Sequence, residues 1–154
     1  MKARMVAFTL VLCYAGAVVC LAADWNIGTW KLNEDKSKFS EGASKSTMVV
    51  YEAVGDSVKV TIDGTSGDGK PTHTEWTGKF DGKDYPATGD PSSDARSYTK
   101  VNAHTLKFKL KSGDKVTLSG TIVTAADGKS RTVTASGTGA DGKKVSYTAM
   151  YDKQ

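Results

Sequence analysis

Arg96-Ser97-Tyr98 is the stretch of this chain best suited to chemistry. Two residues apart on a strand, Arg96 and Tyr98 share a face, and a guanidinium beside a phenol offers several donors to one oxygen-rich head group. Two parities compete here: either Arg96, Tyr98 and Lys100 point inward, or Ser97, Thr99 and Val101 do, which leaves a solvated strand with a snorkelling tyrosine. His73 and Glu75 also share a face and carry metal-binding groups, but alternation puts that face outside. The other histidine, His104, begins a different strand, so surface histidines are expected and no metal site. Beyond residue 23 there is no cysteine, no Gly-x-Ser-x-Gly elbow and no pair of carboxylates on the inward parity of neighbouring strands; Asp63 and Glu75 are expected outside. Neither catalysis nor a cofactor is expected.

The frame that must hold these groups is written in four Asp-Gly-Lys triplets, at 68–70, 81–83, 127–129 and 141–143, each between stretches of alternating apolar and polar residues. An Asp-Gly pair suits the positive dihedrals of a tight hairpin, so the chain is expected to meander. Alternation of period two places Val58, Val60 and Ile62 on one face, then Trp76 and Phe80, then Leu106, Phe108 and Leu110, then Val145, Tyr147 and Tyr151. Lys107, Lys109 and Lys111 fall on the opposite face. Polar stretches from Asn33 to Lys45 and from Thr88 to Asp94 are expected to be loops. With eight to ten strands and nearly all connections tight, an all-β antiparallel up-and-down barrel is expected, because closure removes the exposed edges. A two-sheet β-sandwich is the alternative. The inner face mixes large aromatics with Gly78, Gly120, Ala135, Gly137 and Ala149; these small residues either leave a cavity or mark bends in the sheet.

Residues 1–23 combine Lys2 and Arg4, an apolar run from about Met5 to Val19 and the small-residue end Cys20-Leu21-Ala22-Ala23. This is the pattern of a signal peptide that is removed, leaving residues 24–154 as one exported domain, periplasmic or extracellular, without stable membrane insertion. Cys13 and Cys20 both lie in that segment, so packing alone must hold the domain. The net charge of the chain is +4, and without Lys2 and Arg4 the balance is 19 basic to 17 acidic residues. Such a nearly neutral, dispersed pattern argues against a nucleic-acid binder.

Gly28-Thr29-Trp30 on the first strand resembles the opening Gly-x-Trp motif of lipocalins. That resemblance implies that Trp30 plugs one end of the barrel with an arginine packed on its face, the part assigned here to Arg131. Trp30-Lys31-Leu32-Asn33, Asp81-Gly82-Lys83-Asp84-Tyr85-Pro86 and Tyr151-Asp152-Lys153-Gln154 resemble a group of small exported bacterial proteins with no assigned function. Gly-Thr-Trp also opens avidin-type barrels, but the later tryptophans of the biotin site have no counterparts. The Arg96, Tyr98 pair is similar to the carboxylate clamp of fatty-acid-binding barrels, although there it sits on the last strand. The expectation is a monomeric lipocalin-like barrel that binds a small hydrophobic or amphipathic ligand through Trp76, Arg96, Tyr98, Phe108 and Tyr147, without catalysis. The alternative is a filled barrel serving as a structural or interaction protein of the cell envelope.

Overall fold

Alternating stretches separated by turns become ten strands: β1 (Gly28–Phe39), β2 (Lys45–Val54), β3 (Ser57–Thr65), β4 (Pro71–Gly78), β5 (Tyr85–Thr88), β6 (Ala95–Asn102), β7 (Thr105–Ser112), β8 (Lys115–Thr124), β9 (Ser130–Thr138) and β10 (Lys144–Lys153). The computed structural model describes residues 24–139 and 141–154, so the expected signal peptide at 1–23 lies outside the described residues. Each strand pairs antiparallel with its neighbours in sequence, and β1 pairs with β10 to close the barrel. The sandwich alternative is thereby excluded. Among the described residues no helix is long and apolar enough to cross a membrane.

The closing seam corrects one expectation. The stretch Asn33 to Lys45 is not a loop: β1 continues to Phe39 and resumes its pairing with β10 at Lys38↔Thr148 and Phe39↔Tyr147, after a bulge that follows Asn33↔Met150. Its polar residues read as loop-formers because they replace the ladder bonds. Ser37 Oγ donates to the Asn33 carbonyl (2.6 Å) and accepts from the Met150 amide (2.9 Å), and Asn33 Nδ2 donates to Asp152 (2.8 Å). Only the short connection between Phe39 and Lys45 remains a turn.

The Asp-Gly-Lys triplets need a second correction. In none of them does the aspartate adopt positive φ; Gly69, Gly82, Gly128 and Gly142 do, with φ between 69° and 83°. The aspartates act instead as acceptors. Asp81, Asp127 and Asp141 each take a hydrogen bond from the lysine amide two residues on, at 3.0, 2.9 and 3.0 Å. The 81–83 triplet is also not a tight hairpin. β5 is only four residues long, and the segment before it takes over the pairing with β6, through Lys100 N to Phe80 O (3.1 Å), Gly82 N to Tyr98 O (2.8 Å) and a bridge from Asp81 to Thr99.

The small inward residues mark close packing, not empty space. A β-carbon on Gly120 would run into the Thr134 carbonyl and lie 2.7 Å from the Phe108 ring, and one on Gly137 would run into the Thr117 carbonyl. These glycines let the sheet curl tightly and let Phe108 lie close against it. Replacing Gly120 by Ala is therefore expected to cost about 1–3 kcal/mol through overpacking, read as a lower urea midpoint with an unchanged slope.

Candidate functional site

One end of the barrel is sealed. Residues 24–27 fold across it, and Asn26, wholly buried, accepts the Trp30 indole N–H on its carbonyl at 2.9 Å. The Arg131 guanidinium lies 4.6 Å from the Trp30 ring centre, 4.8 Å from Tyr51 and 5.2 Å from Tyr151. Three π faces thus surround a cation that is only 2% exposed, an arrangement worth about 2 kcal/mol when desolvated. The glycine of Gly28-Thr29-Trp30 has its own reason: φ is 126°, and a β-carbon there would meet Lys153 at 2.7 Å, where that chain crosses to lie over the Trp30 ring. Trp25 caps the outside, against His104 (4.6 Å between ring centres) and over Gly128. Trp30 and Arg131 therefore occupy the positions expected for them at the closed end.

Above this floor a second aromatic layer fills the side nearest β4–β6. Trp76 packs edge-on to Tyr98 (4.8 Å) and Tyr85 (5.8 Å) and stacks with Phe80 (6.4 Å), while its indole N–H donates to the Arg96 carbonyl at 2.9 Å. Parity predicts that Trp76 faces the ligand, and here the structure differs. Trp76 is 1% exposed and does not reach the cavity wall, because Tyr98 stands between them, so its place is in the packed layer.

The remaining space is a cavity of about 830 Å³ that opens at the opposite end of the barrel, among residues 42–46, 65–68, 70–72, 89–92, 138, 139 and 141. Its walls are mainly apolar, with Val49, Ile62, Phe108, Leu110, Ile122 and Val133 on the inner faces of β2, β3 and β7–β9. Arg96, Tyr98, Phe108 and Tyr147 all reach it, so four of the five residues expected at a ligand are brought together. The parity of β6 is resolved: Arg96 and Tyr98 point inward and are 6% and 3% exposed. Ser97, facing the other way, is equally buried, which is why alternation alone does not decide this strand.

Arg96 is loosely held. Its Nη1 donates to the Tyr98 hydroxyl and its Nη2 to Asp90, both at 3.4 Å, and its Nε has no partner. Asp90 is bound more tightly to its own loop, accepting from the Ser92 amide (2.8 Å), Ser92 Oγ (2.7 Å) and Ser93 Oγ (2.6 Å). Burial alone would raise its carboxyl, but the Ser93 and Ser92 bonds and the Arg96 charge hold it below its ordinary value. Tyr51 and Tyr147 are pushed well above theirs, foremost by burial, and Tyr151 to about 12 by burial against the opposing pull of Arg131. Asp90, Tyr51 and Tyr151 are not among the expected ligand contacts. The inward parity of Tyr151 is legible in the sequence beside Val145 and Tyr147, whereas the inward turn of Asp90 depends on the fold of its loop.

The histidines are not brought together. His73 lies exposed on β4, 2.6 Å from Asp63 on β3, and His104 sits at the closed end against Trp25. No family model matches the chain, and no curated protein matches it. Among solved structures it is similar to a redesigned β-barrel, mFAP1, bound to DFHBI (17% identity, TM-score 0.44, 86% of this chain and 98% of that one). It is also similar to EF1p2_mFAP2b bound to DFHBI (17%, 0.47, 86% and 97%) and to a de novo designed fluorescence-activating β-barrel (15%, 0.42, 86% and 97%). At these values the likeness is one of general architecture.

Two outcomes follow from this geometry. Trp76→Ala should cost about 3–5 kcal/mol of stability, as for a wholly buried aromatic, measured by denaturant unfolding. The buried tyrosines hold their protons more tightly in the folded state than in the unfolded chain, so their contribution is intact below pH of about 10 and is lost as pH rises toward 12 and beyond. Thermal midpoints should therefore decline across that window, with the absorbance of these tyrosinates appearing only as the protein unfolds.

Proposed function

We propose that this chain is an exported, lipocalin-like barrel that takes a small hydrophobic or amphipathic molecule into its interior and releases it unchanged. The observation that carries this reading is the cavity of about 830 Å³, open at one end and closed at the other by Trp30 and Arg131. Its volume falls in the range of small-molecule sites, roughly 300–1,000 Å³, and its apolar walls with a few polar groups at Arg96, Tyr98 and Tyr147 match their usual make-up. Affinity would come from apolar area removed from water, at roughly 25 cal/mol per Å², and the polar groups would set orientation.

The unfilled interior disfavours the alternative of a solid barrel working through its loops, and the stretch from Asn33 to Phe39 that such a role would have used is taken up by β1. Export is supported by the basic start, apolar run and small-residue end of residues 1–23. The exposed Lys107 and Lys109 on β7 and Thr134 and Ser136 on β9 suit a barrel bathed in water. Catalysis has no support from the cavity wall, where Asp90 is tied to Ser92 and Ser93 and Tyr51 and Tyr147 are held protonated by burial.

Filling the cavity tests this directly. Val133 faces it from the inner side of β9, so Val133→Phe projects into free space and should leave stability within about 1 kcal/mol. Uptake of an environment-sensitive apolar dye should be lost. A dye that binds the variant and the original protein equally well is not bound in the cavity, and the carrier reading then falls.

A further inference from the structure

The charges around the cavity do not balance. At the mouth, Asp68 pairs with Lys70 (2.8 Å), Asp141 with Lys143 (3.7 Å) and Lys45 with Glu34 (3.4 Å). Deeper in the wall stand two guanidiniums, Arg96 and Arg131, 6% and 2% exposed, against one carboxylate, Asp90. Arg131 has no carboxylate within ion-pair distance among the described residues, and both its Nε and its Nη1 lack a hydrogen-bond partner. Arg96 also has an unpartnered Nε, and its two contacts are long because Asp90 is held by Ser92 and Ser93 instead. Tyr51 and Tyr147 cannot supply the missing negative charge, since burial keeps them protonated. A buried cation with unused donors is costly until an anion reaches it.

Resting on the carrier reading above, we propose that the ligand is an amphiphile with a singly charged oxyanion head group, a carboxylate above all, seated at Arg96 and the Tyr98 hydroxyl. The excess of one positive charge sets the head group's charge: a monoanion brings the buried groups to neutrality without expelling Asp90 from its loop. A dianion would leave a new negative charge unpaired, and a neutral head group would leave Arg96 as it is. The apolar tail then lies along Phe108, Leu110, Ile122 and Val133.

Chain-matched probes separate this inference from the carrier reading. Dodecanoate, dodecanol and dodecylamine present one tail with an anionic, a neutral and a cationic head. Calorimetric titration of the unaltered protein should show dodecanoate binding about tenfold or more tighter than the other two, as a charge-assisted hydrogen bond supplies. Arg96→Met should abolish that preference, with dodecanoate then binding no tighter than dodecanol. Asp90→Asn, which removes the competing carboxylate, should tighten dodecanoate binding more than dodecanol binding; this second variant and the probe comparison stand even if Arg96→Met does not fold. Equal affinities for dodecanoate and dodecanol, or a preference for dodecylamine, would overturn the anion inference and leave the carrier reading intact. Failure of all three to bind overturns both.

Discussion

The structure depends on a mismatch between the circumference of a ten-stranded ring and the volume of the side chains that point into it. Closure pairs every strand on both sides, including the seam of β1 with β10, and so removes the edges that a sheet of this length would expose. The diameter of the ring then follows from strand number, and ten strands enclose more than an ordinary core fills. The chain meets this with aromatics on one side and at one end: Trp30 with Tyr51, Tyr151 and Arg131 on the floor, and Trp76 with Phe80, Tyr85 and Tyr98 against β4–β6. What they leave is the cavity. The glycines and alanines of the inner face do not create it; they permit the curl that brings the aromatics into contact.

The two buried arginines show how differently a cation can be accommodated in such an interior. Arg131 is surrounded by π faces, which hold its guanidinium without a carboxylate and tie β1, β2 and β10 to β9 at the closed end, its positive charge remaining uncancelled. Arg96 stands higher, where β6 meets the mouth loop, and its long contacts to Tyr98 and Asp90 leave donor capacity unused. The first therefore reads as part of the scaffold and the second as part of the site. Asp90 links the site to the turn at the mouth, since its carboxylate is anchored by Ser92 and Ser93 and only brushes Arg96.

Much of the barrel is legible because period-two alternation is strong wherever one face is buried and the other wet. The inward sets of β7, β9 and β10, and the partnership of Trp30 with Arg131, follow from parity and from the Gly-x-Trp resemblance. Three features are not legible, each for a local reason. The polar run after Asn33 has loop composition, yet Ser37 and Asn33 replace the ladder bonds of a bulge with side-chain bonds. Trp76 has the inward parity of a ligand contact, but parity does not tell height along the barrel or which ring screens which, and Tyr98 intervenes. On β6, Arg96, Ser97 and Tyr98 are all buried, so no alternation marks the inner face.

The proposed binding takes place inside the ring, and methyl-resolved nuclear magnetic resonance during titration of the protein with an apolar amphiphile separates the inside from the outside. The methyls of Val49, Ile62, Leu110 and Ile122 are expected to shift together, and the exposed methyls of Val54, Val101 and Val123 to stay in place. Shifts confined to the outer valines, or none at saturating amphiphile, would contradict it and make the interior a space that the molecule does not use.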